Sequence, residues 1–382
     1  MYDLRPLKGR ARAGPRARDV AAGSPRVQRP RERISGRWRV NKGPCKGFRN
    51  FTGQSCYRHA PLQALMAAPN FLNFLEDQGH PECPILDECV SCRLRLVAES
   101  YWRSGASTAQ PDAMSAPLVA LDKALRINGW HGTAEEDTQE DADEWLTFAL
   151  RQAAGFFDEN QREEYGKVVG VGLNSTIRCQ TKGCTPKNGP LVAERDPALR
   201  LSILPETRSK TLKSYLNTSL TDKIDGYTCE QCGQTGTADQ VQKISAAPEV
   251  LFVQLKRFDE SRRKLTTEVR FGSNLNLNAN VADKSQKPLV YKLAATVCHS
   301  ETPMTPETSP ESTPDSTTRP RSVDRSTMTG HYVAFAKASN GTWYECNDLS
   351  VRPVLARDVY SSAVEGSMEG EFTPYVLCYL KE

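Results

Sequence analysis

Two stretches separated by most of the chain constrain the fold more than its composition does. The first, Lys46 to Leu65 (KGFRNFTGQSCYRHAPLQAL), is a Gly-punctuated loop that ends in Cys56 and runs into an apolar-periodic helix through Leu62, Leu65 and Met66. A thiol at the junction of a loop and a helix N-terminus sits where free N–H groups and the macrodipole favour negative charge. That setting lowers a thiol pKa and turns a weak nucleophile into a usable thiolate. The second stretch is Gly330 to Phe335 (GHYVAF), followed by Trp343 to Asp348 (WYECND). It supplies a histidine to take the thiol proton and, in Asn347 or Asp348, an acceptor to orient the imidazole. Alone, Cys56 reads as well as a small buried hydrophobe, and His331 as a satisfied core histidine. Together they make a site around which the rest of the chain has to be organised.

An early Cys, a late His and an Asn or Asp shortly after it is the chain order of papain-like thiol hydrolases. Gly47, Asn50, Gly53, Cys56, Tyr57, Leu62 and Gln63 follow the pattern G-L-x-N-x-G-N-T-C-Y-M-N-S-x-L-Q, and Gly330 to Tyr332 with Trp343 to Asp348 follow G-H-Y … W-Y-x-x-[ND]-D. Between them lie Gln139 to Glu144 (QEDADE), Leu251 to Phe258 (LFVQLKRF) and Tyr291 to Ser300 (YKLAATVCHS). In these motifs, in this order over residues 46 to 354, the chain resembles the ubiquitin-specific proteases. The resemblance implies a papain-like α+β fold of thumb, fingers and palm, and a thiol-dependent hydrolase that removes ubiquitin from protein conjugates by cleaving after its C-terminal Gly-Gly. It further implies Cys56 as nucleophile, His331 as base, Asn347 as the third member, Asp348 as a supporting acceptor and Asn50 as oxyanion donor. Asp141, Glu144 and Tyr332 would then meet the substrate, the acidic segment facing the basic tail of ubiquitin.

The chain departs from that pattern near the nucleophile. The family places its oxyanion asparagine five residues before the cysteine, whereas Asn50 lies six before it and Phe51 takes the fifth place. One extra residue near Thr52 could bulge outward and leave Asn50 within reach, or Gln54 or backbone N–H groups could serve instead. Arg58-His59-Ala60 replaces Met-Asn-Ser after the Cys-Tyr pair. His59, on the same helix as Cys56, is not expected to face it. These departures leave a second reading open, a weak or inactive ubiquitin-binding scaffold.

Charge and cysteine usage bound the setting. The chain of 382 residues has a net charge of +4, unevenly placed. Residues 1–42 hold about a dozen Arg and Lys and few acids, and read as a disordered basic tail: solvated, a nuclear address or a nucleic-acid contact. Twelve cysteines could suggest a secreted disulfide protein, but the chain opens without an apolar signal segment, and no run is long enough to cross a bilayer. A cytoplasmic or nuclear location is expected, where paired cysteines mean metal or catalysis more often than disulfides. Cys179-x4-Cys184 with Cys229-x2-Cys232 offers four thiolates for a structural zinc, and the resemblance puts a zinc-bearing fingers subdomain here. His80, Cys83, Cys89 and Cys92 form a second, weaker candidate set. Cys45, Cys298, Cys346 and Cys378 read as structural. A zinc-dependent nucleic-acid-binding protein would use the basic tail and the CxxC pair but would leave the Cys56 and His331 stretches unexplained.

Periodicity gives the organisation of residues 43–382. Helices are expected after Cys56, either kinked at Pro61 or regular only from near Ala60, over Ala116–Ile127, and over Thr138–Ala149 with Thr138 and Asp141 as a capping box. Alternating runs follow over Val168–Cys179, Leu199–Ile203, Val250–Phe258, Leu289–His299, His331–Ala338 and Phe372–Leu380. They predict an antiparallel sheet after a helical N-terminal half. The corresponding divisions are a thumb over about 43–160, fingers over 165–250 and a palm over 251–382. A Pro/Ser/Thr/Glu insertion, 301–329, reads as disordered.

Overall fold

The computed structural model describes residues 36–39, 43–79, 82–103, 114–131, 140–185, 191–192, 194–205, 210–259, 263–283, 288–301, 330–361 and 372–382. All of them fall in one unit spanning 34–382. The expected basic tail, apart from residues 36–39, and the expected insertion, apart from Glu301, lie outside the described residues.

Helix α1 (Cys56–Met66) is the axle of the helical half, and every residue in it except Arg58 is buried. An all-round apolar helix has to be surrounded. It packs against α2 (Pro69–Gln78) and α5 (Ala142–Ala154) on one side, and against strands β10 (Val290–Ser300), β11 (His331–Lys337) and β12 (Trp343–Asn347) on the other. Helical structure runs from Cys56 through Pro61, so the expected late start near Ala60 does not occur. Pro61 gives up one N–H bond, and contact on all sides holds the turn that propensity alone would lose.

Helices α3 (Val90–Trp102), α4 (Ser115–Ile127) and α6 (Glu159–Val169) complete that half. The cap of α5 is Asp141 rather than Thr138, which is outside the described residues; the Asp141 carboxylate accepts from the Asp143 and Glu144 amides at 2.7 and 3.1 Å. The buried stripe of Trp145, Leu146 and Ala149 is as the periodicity predicts. A capping box between Asp158 and Gln161 starts α6, which absorbs Val168 and Val169 from the run that reads as strand. Strand β1 therefore begins at Gly172 and ends at Cys179.

The large sheet has the order β13-β12-β11-β10-β14-β7-β3, with β9 (Asn274–Asn276) beside β10. Here β3 is Ala198–Ser202, β7 Val250–Lys256, β13 Ser350–Val354 and β14 Thr373–Lys381. It is antiparallel except where β3 runs parallel to β7. Both faces are covered. Phe252, Tyr332, Ala334, Val376 and Cys378 join the core under the helices, while Leu251, Val253, Val333, Phe335, Leu377 and Tyr379 join a second core with α7 (Leu212–Ser219). Two-sided burial explains why these strands read as unbroken apolar runs. A separate sheet, β2-β1-β6-β5, joins β1 to β2 (Leu191–Val192), β5 (Thr221–Thr228) and β6 (Thr235–Ala246). Within the expected 165–250 division, β3 thus belongs to the larger sheet.

Candidate active site

Cys56 is the first residue of α1 and is 1% exposed. His331 is the first residue of β11, the strand that packs on α1, and Asn347 ends β12 beside it. The His331 Nε2 lies 2.7 Å from Asn347 Oδ1. An amide oxygen only accepts, so Nε2 carries the hydrogen of the neutral ring and Nδ1 is left as its basic nitrogen. Of the chain's five histidines, His80 lies outside the described residues and His131 is exposed. His299 is pushed down to about 3 by burial, with Lys264 and His331 adding to it. Gly330 lacks a side chain because a Cβ there would collide with the Ser300 carbonyl and the His299 ring. Its smallness therefore serves the protein's own packing.

Asp348 follows Asn347 in the tight turn between β12 and β13, with φ at +47°. Aspartate tolerates this left-handed region better than most side chains. The turn is clamped to the cysteine stretch: Phe48 N–H donates to the Asp348 carbonyl at 2.8 Å. At the same place Gly47 is obligatory, since a Cβ would overlap the Leu349 carbonyl. The Asp348 carboxylate takes two bonds, one from His59 Nδ1 at 2.7 Å and one from Asn50 Nδ2 at 2.9 Å. Burial alone would raise this carboxyl; the bond and charge of His59 and the bond from Asn50 outweigh it and hold it below 3.8. Burial in turn pushes His59 below 6.5 against the pull of Asp348.

Asn50 closes the chain of contacts by accepting the Ser55 N–H on Oδ1 at 3.1 Å, one residue before Cys56. A carboxylate acceptor on one side and an N–H donor on the other fix which end of the amide is nitrogen. The extra residue of this loop is taken up on the outside: Phe51 is 62% exposed, and Gly53 turns the chain at φ +74°. Thr52 Oγ1 meets Ser55 Oγ at 3.1 Å and accepts from the Gln54 amide, which holds the bulge to the helix start. Arg58 binds Ser55 Oγ at 2.7 Å and pairs with Asp122 of α4.

The sequence reading sets His59 aside because it does not face Cys56, and so misses its bond to Asp348. The available signal was a polar side chain in an otherwise apolar helix, which must find a partner when buried. The candidate substrate residues divide. Glu144 is exposed. Asp141 is committed to capping α5 and to accepting from the Tyr375 hydroxyl. Tyr332 is 1% exposed, with its ring 4.5 Å from His299 and 5.9 Å from Tyr375, so it is a wall behind the site rather than a contact surface.

Far from Cys56 in sequence, at the ends of β1 and β5, Cys179, Cys184, Cys229 and Cys232 place their sulfurs within 4.8 Å of one another. Cys179 and Cys232 are 3.9 Å apart, and Cys184 and Cys229 are 3.7 Å apart. A tetrahedron with zinc–sulfur bonds of about 2.3 Å needs edges of about 3.8 Å. The Thr181 N–H donates to Cys179 Sγ at 3.4 Å, as outer partners of a ligating thiolate do. Cys83, Cys89 and Cys92 also lie within 4.8 Å of one another. Their candidate fourth partner, His80, is outside the described residues. Both groups could bind a metal ion.

Helices packed on a mixed sheet, with a cysteine at the buried head of the first helix and a His–Asn pair on the facing strands, define a papain-like α+β fold. The chain belongs to the family described as ubiquitin carboxyl-terminal hydrolase, whose model matches residues 46–379. Among curated relatives, ubiquitin carboxyl-terminal hydrolase 25 of Arabidopsis thaliana is 28% identical, matching 84% of this chain and 46% of its own length. Ubiquitin carboxyl-terminal hydrolase 42 of Homo sapiens is 23% identical over 90% of this chain and 24% of its own. The chain therefore spans less than half the length of these relatives. Among solved structures, the SAGA DUB module of Ubp8, Sgf11, Sus1 and Sgf73 bound to monoubiquitin has a similar chain, with a TM-score of 0.65 and 23% identity over 88% of this chain and 69% of that one. The same module bound to ubiquitin aldehyde gives a TM-score of 0.64 at 22% identity, covering 88% and 69%.

Proposed function

We propose that the chain is a cysteine-type deubiquitinase that hydrolyses the bond after the C-terminal Gly-Gly of ubiquitin in protein conjugates. The observation that carries the reading is the His331 Nε2–Asn347 Oδ1 bond on strands packed against the helix that begins at Cys56. In this mechanism His331 Nδ1 takes the Cys56 proton, and the thiolate attacks the carbonyl of the terminal glycine. The protonated imidazole then gives that proton to the leaving amine, leaving a thioester. Water, deprotonated by the same nitrogen, hydrolyses the thioester and frees the ubiquitin carboxylate and Cys56. Asn347 keeps the ring in the tautomer this needs. Asn50 Nδ2 donates to the oxyanion of each tetrahedral intermediate, and Asp348 holds Asn50 in place. Glu144, exposed at the head of α5, meets the basic ubiquitin tail, while Asp141 and Tyr332 support the site from behind.

The scaffold reading has less support: the added loop residue is absorbed at exposed Phe51, and Asn50 keeps its bond next to Cys56. A ubiquitin probe with an electrophilic C-terminus, followed by cleavage of ubiquitin linked through an amide, tests the proposal. Labelling at Cys56 together with turnover supports it; binding without either supports the scaffold.

The proposal extends to metal and setting. Zinc held by Cys179, Cys184, Cys229 and Cys232 would be structural, because four protein ligands leave no open position. Cys83, Cys89 and Cys92, with His80, would hold a second. None of the twelve cysteines is in a disulfide, which suits a reducing cytoplasm or nucleus. Among the described residues no helix is long and apolar enough to cross a membrane. The divisions 43–160, 165–250 and 251–382 serve as thumb, fingers and palm, with β3 lent to the palm sheet.

A further inference from the structure

The buried histidine three residues after Cys56 is unused by the mechanism above, yet it is bonded into the centre of the site. From His59 a continuous path runs to the nucleophile's helix: His59 Nδ1 to Asp348 Oδ1 at 2.7 Å, Asp348 Oδ2 to Asn50 Nδ2 at 2.9 Å, and Asn50 Oδ1 to Ser55 N at 3.1 Å. Every link has a fixed polarity. The carboxylate can only accept, so the imidazole hydrogen is on Nδ1. Asp348 also takes one of the two hydrogens on Asn50 Nδ2, which leaves the second available. The ring is held from behind by Phe48, whose centroid is 5.6 Å away.

We propose that His59 is a positioning residue: by gripping Asp348 it fixes the plane of the Asn50 amide, so that the second Nδ2 hydrogen is presented to the oxyanion formed at Cys56. This inference rests on the deubiquitinase reading. Its particular content is that a loop one residue longer than the family pattern needs a firmer hold on its asparagine. Phe51, Thr52 and Gly53 give that loop slack, because Phe51 is largely exposed and Gly53 sits in a left-handed turn. The path from His59 fixes Asn50 from the helix side, independently of the bulge. Chemistry also makes the role exchangeable: in histidine Nδ1 is bonded to Cγ, as Nδ2 is in asparagine, so an asparagine at this position offers an N–H at the same number of bonds from the backbone. The pattern this chain resembles has asparagine there.

The test uses the full chain with ubiquitin linked by an amide to a fluorophore, and reads kcat, KM, melting temperature and the rate of Cys56 alkylation by iodoacetamide. Loss of an oxyanion donor costs about 10²–10³ in rate, and loosening one costs less. His59→Leu is therefore expected to lower kcat about tenfold to a hundredfold, with KM and alkylation within about twofold, because alkylation forms no oxyanion. His59→Asn should recover most of that loss, and Asn50→Ala should cost less in the His59→Leu background than in the wild type. A merely structural residue would move alkylation and melting with kcat and would not be rescued by asparagine. If His59→Leu does not fold, Asp348→Asn, which weakens both acceptor bonds, should reproduce the kcat loss at unchanged KM. Wild-type kcat in His59→Leu overturns this inference alone; wild-type kcat in Asp348→Asn, where that variant stands in, overturns it together with the hold of Asp348 on Asn50. Failure of His59→Asn to rescue a folded His59→Leu also overturns this inference alone. A wild-type protein that does not cleave the substrate at all overturns the deubiquitinase reading and this inference together.

Discussion

The Cys56–His331 junction and the four-cysteine end of the small sheet hold side chains in place by opposite means. At the junction, β11 is buried along six consecutive residues and every residue of α1 but Arg58 is buried, so packing holds both the strand and the helix in place. At the other end β5 has no buried residue, and β1 has one. Both strands pair with β6 but have little core to sit on. At that end four sulfurs lie together in a group that could hold a metal ion. A catalytic arrangement that must keep its distances can be built into a core; a hairpin tip that reaches away from the core needs a ligand to define it. Damage at the two places should therefore look different, and experiments can set the regions against each other.

The largest effect is expected at the junction and should be purely chemical. Cys56→Ala should lower turnover of ubiquitin amides by about 10⁴-fold or more, and His331→Ala should do nearly as much. Removing both should cost little beyond either, because groups acting as a unit lose together. The melting temperature of Cys56→Ala should stay within a few degrees, as the core under α1 loses only one sulfur atom. A Cys56→Ala protein that still turns over ubiquitin would break the assignment of the nucleophile. Asn347→Ala should be milder, since it removes the acceptor that orients the imidazole and leaves nucleophile and base in place.

At the small sheet the order of losses should reverse, with stability going first. Binding of structural zinc is folding free energy, about 10–16 kcal/mol in isolated fingers, so Cys229→Ser or strong chelation should melt this sheet early. Alkylation of Cys56 by iodoacetamide should persist while ubiquitin affinity falls. Elemental analysis is expected to find one zinc per chain, or two if the Cys83–Cys92 group is also filled. Active, freshly purified protein free of zinc would remove the contrast drawn above.

The sequence made the junction legible and left its supports hidden. Cys56, His331 and Asn347 stood out because each sits in a short local pattern, and the two-sided burial of β7 and β11 wrote itself into unbroken apolar runs. His59, Tyr375 and Arg200 carry no such local mark. Their roles come from partners far along the chain, Asp348, Asp141 and Asp143, and a long-range polar contact leaves no periodicity behind. The boundary near Val168 was misplaced for a related reason: valines suit strands, but the Asp158–Gln161 capping box nucleated a helix that runs through them.

Arg200 supplies a pH test of how the helical half is tied to the sheet. Its guanidinium bonds Asp143 Oδ2 at 2.9 Å, Thr147 at 2.8 Å and Asp196 at 2.8 Å, linking β3 to α5. Burial, against the pull of Arg200, pushes the Asp143 carboxyl up to about 6. A carboxyl raised above its unfolded value favours the fold most below the unfolded pKa, near 3.8, and that contribution is lost as pH rises through about 6. Arg200→Met leaves the buried carboxylate without its cation and should destabilise by about 3–5 kcal/mol at pH 8. At pH 5 Asp143 can take up a proton, so the loss should shrink. Denaturant titrations at the two pH values read this directly, and an equal loss at both would mean that Asp143 is not the group responsible.

The smallest effect is expected beside the junction itself. Ser300 and His331 are Cα partners across β10 and β11, so the two strands are already side by side where residues 302–329 leave and rejoin them. A span whose ends are that close can be shortened with little change in stability, because loop-closure entropy varies only with the logarithm of length. Replacing 302–329 by a short Gly/Ser bridge, with Gly330 kept for the His299 ring behind it, should leave kcat and KM within about twofold and melting within a few degrees. The measurement matters because His331 is the first residue after the join. A loss confined to kcat would mean the segment helps to hold the imidazole, and a fall in melting temperature would mean it packs on the sheet. Either result would show that the core under α1 does not by itself set the position of His331.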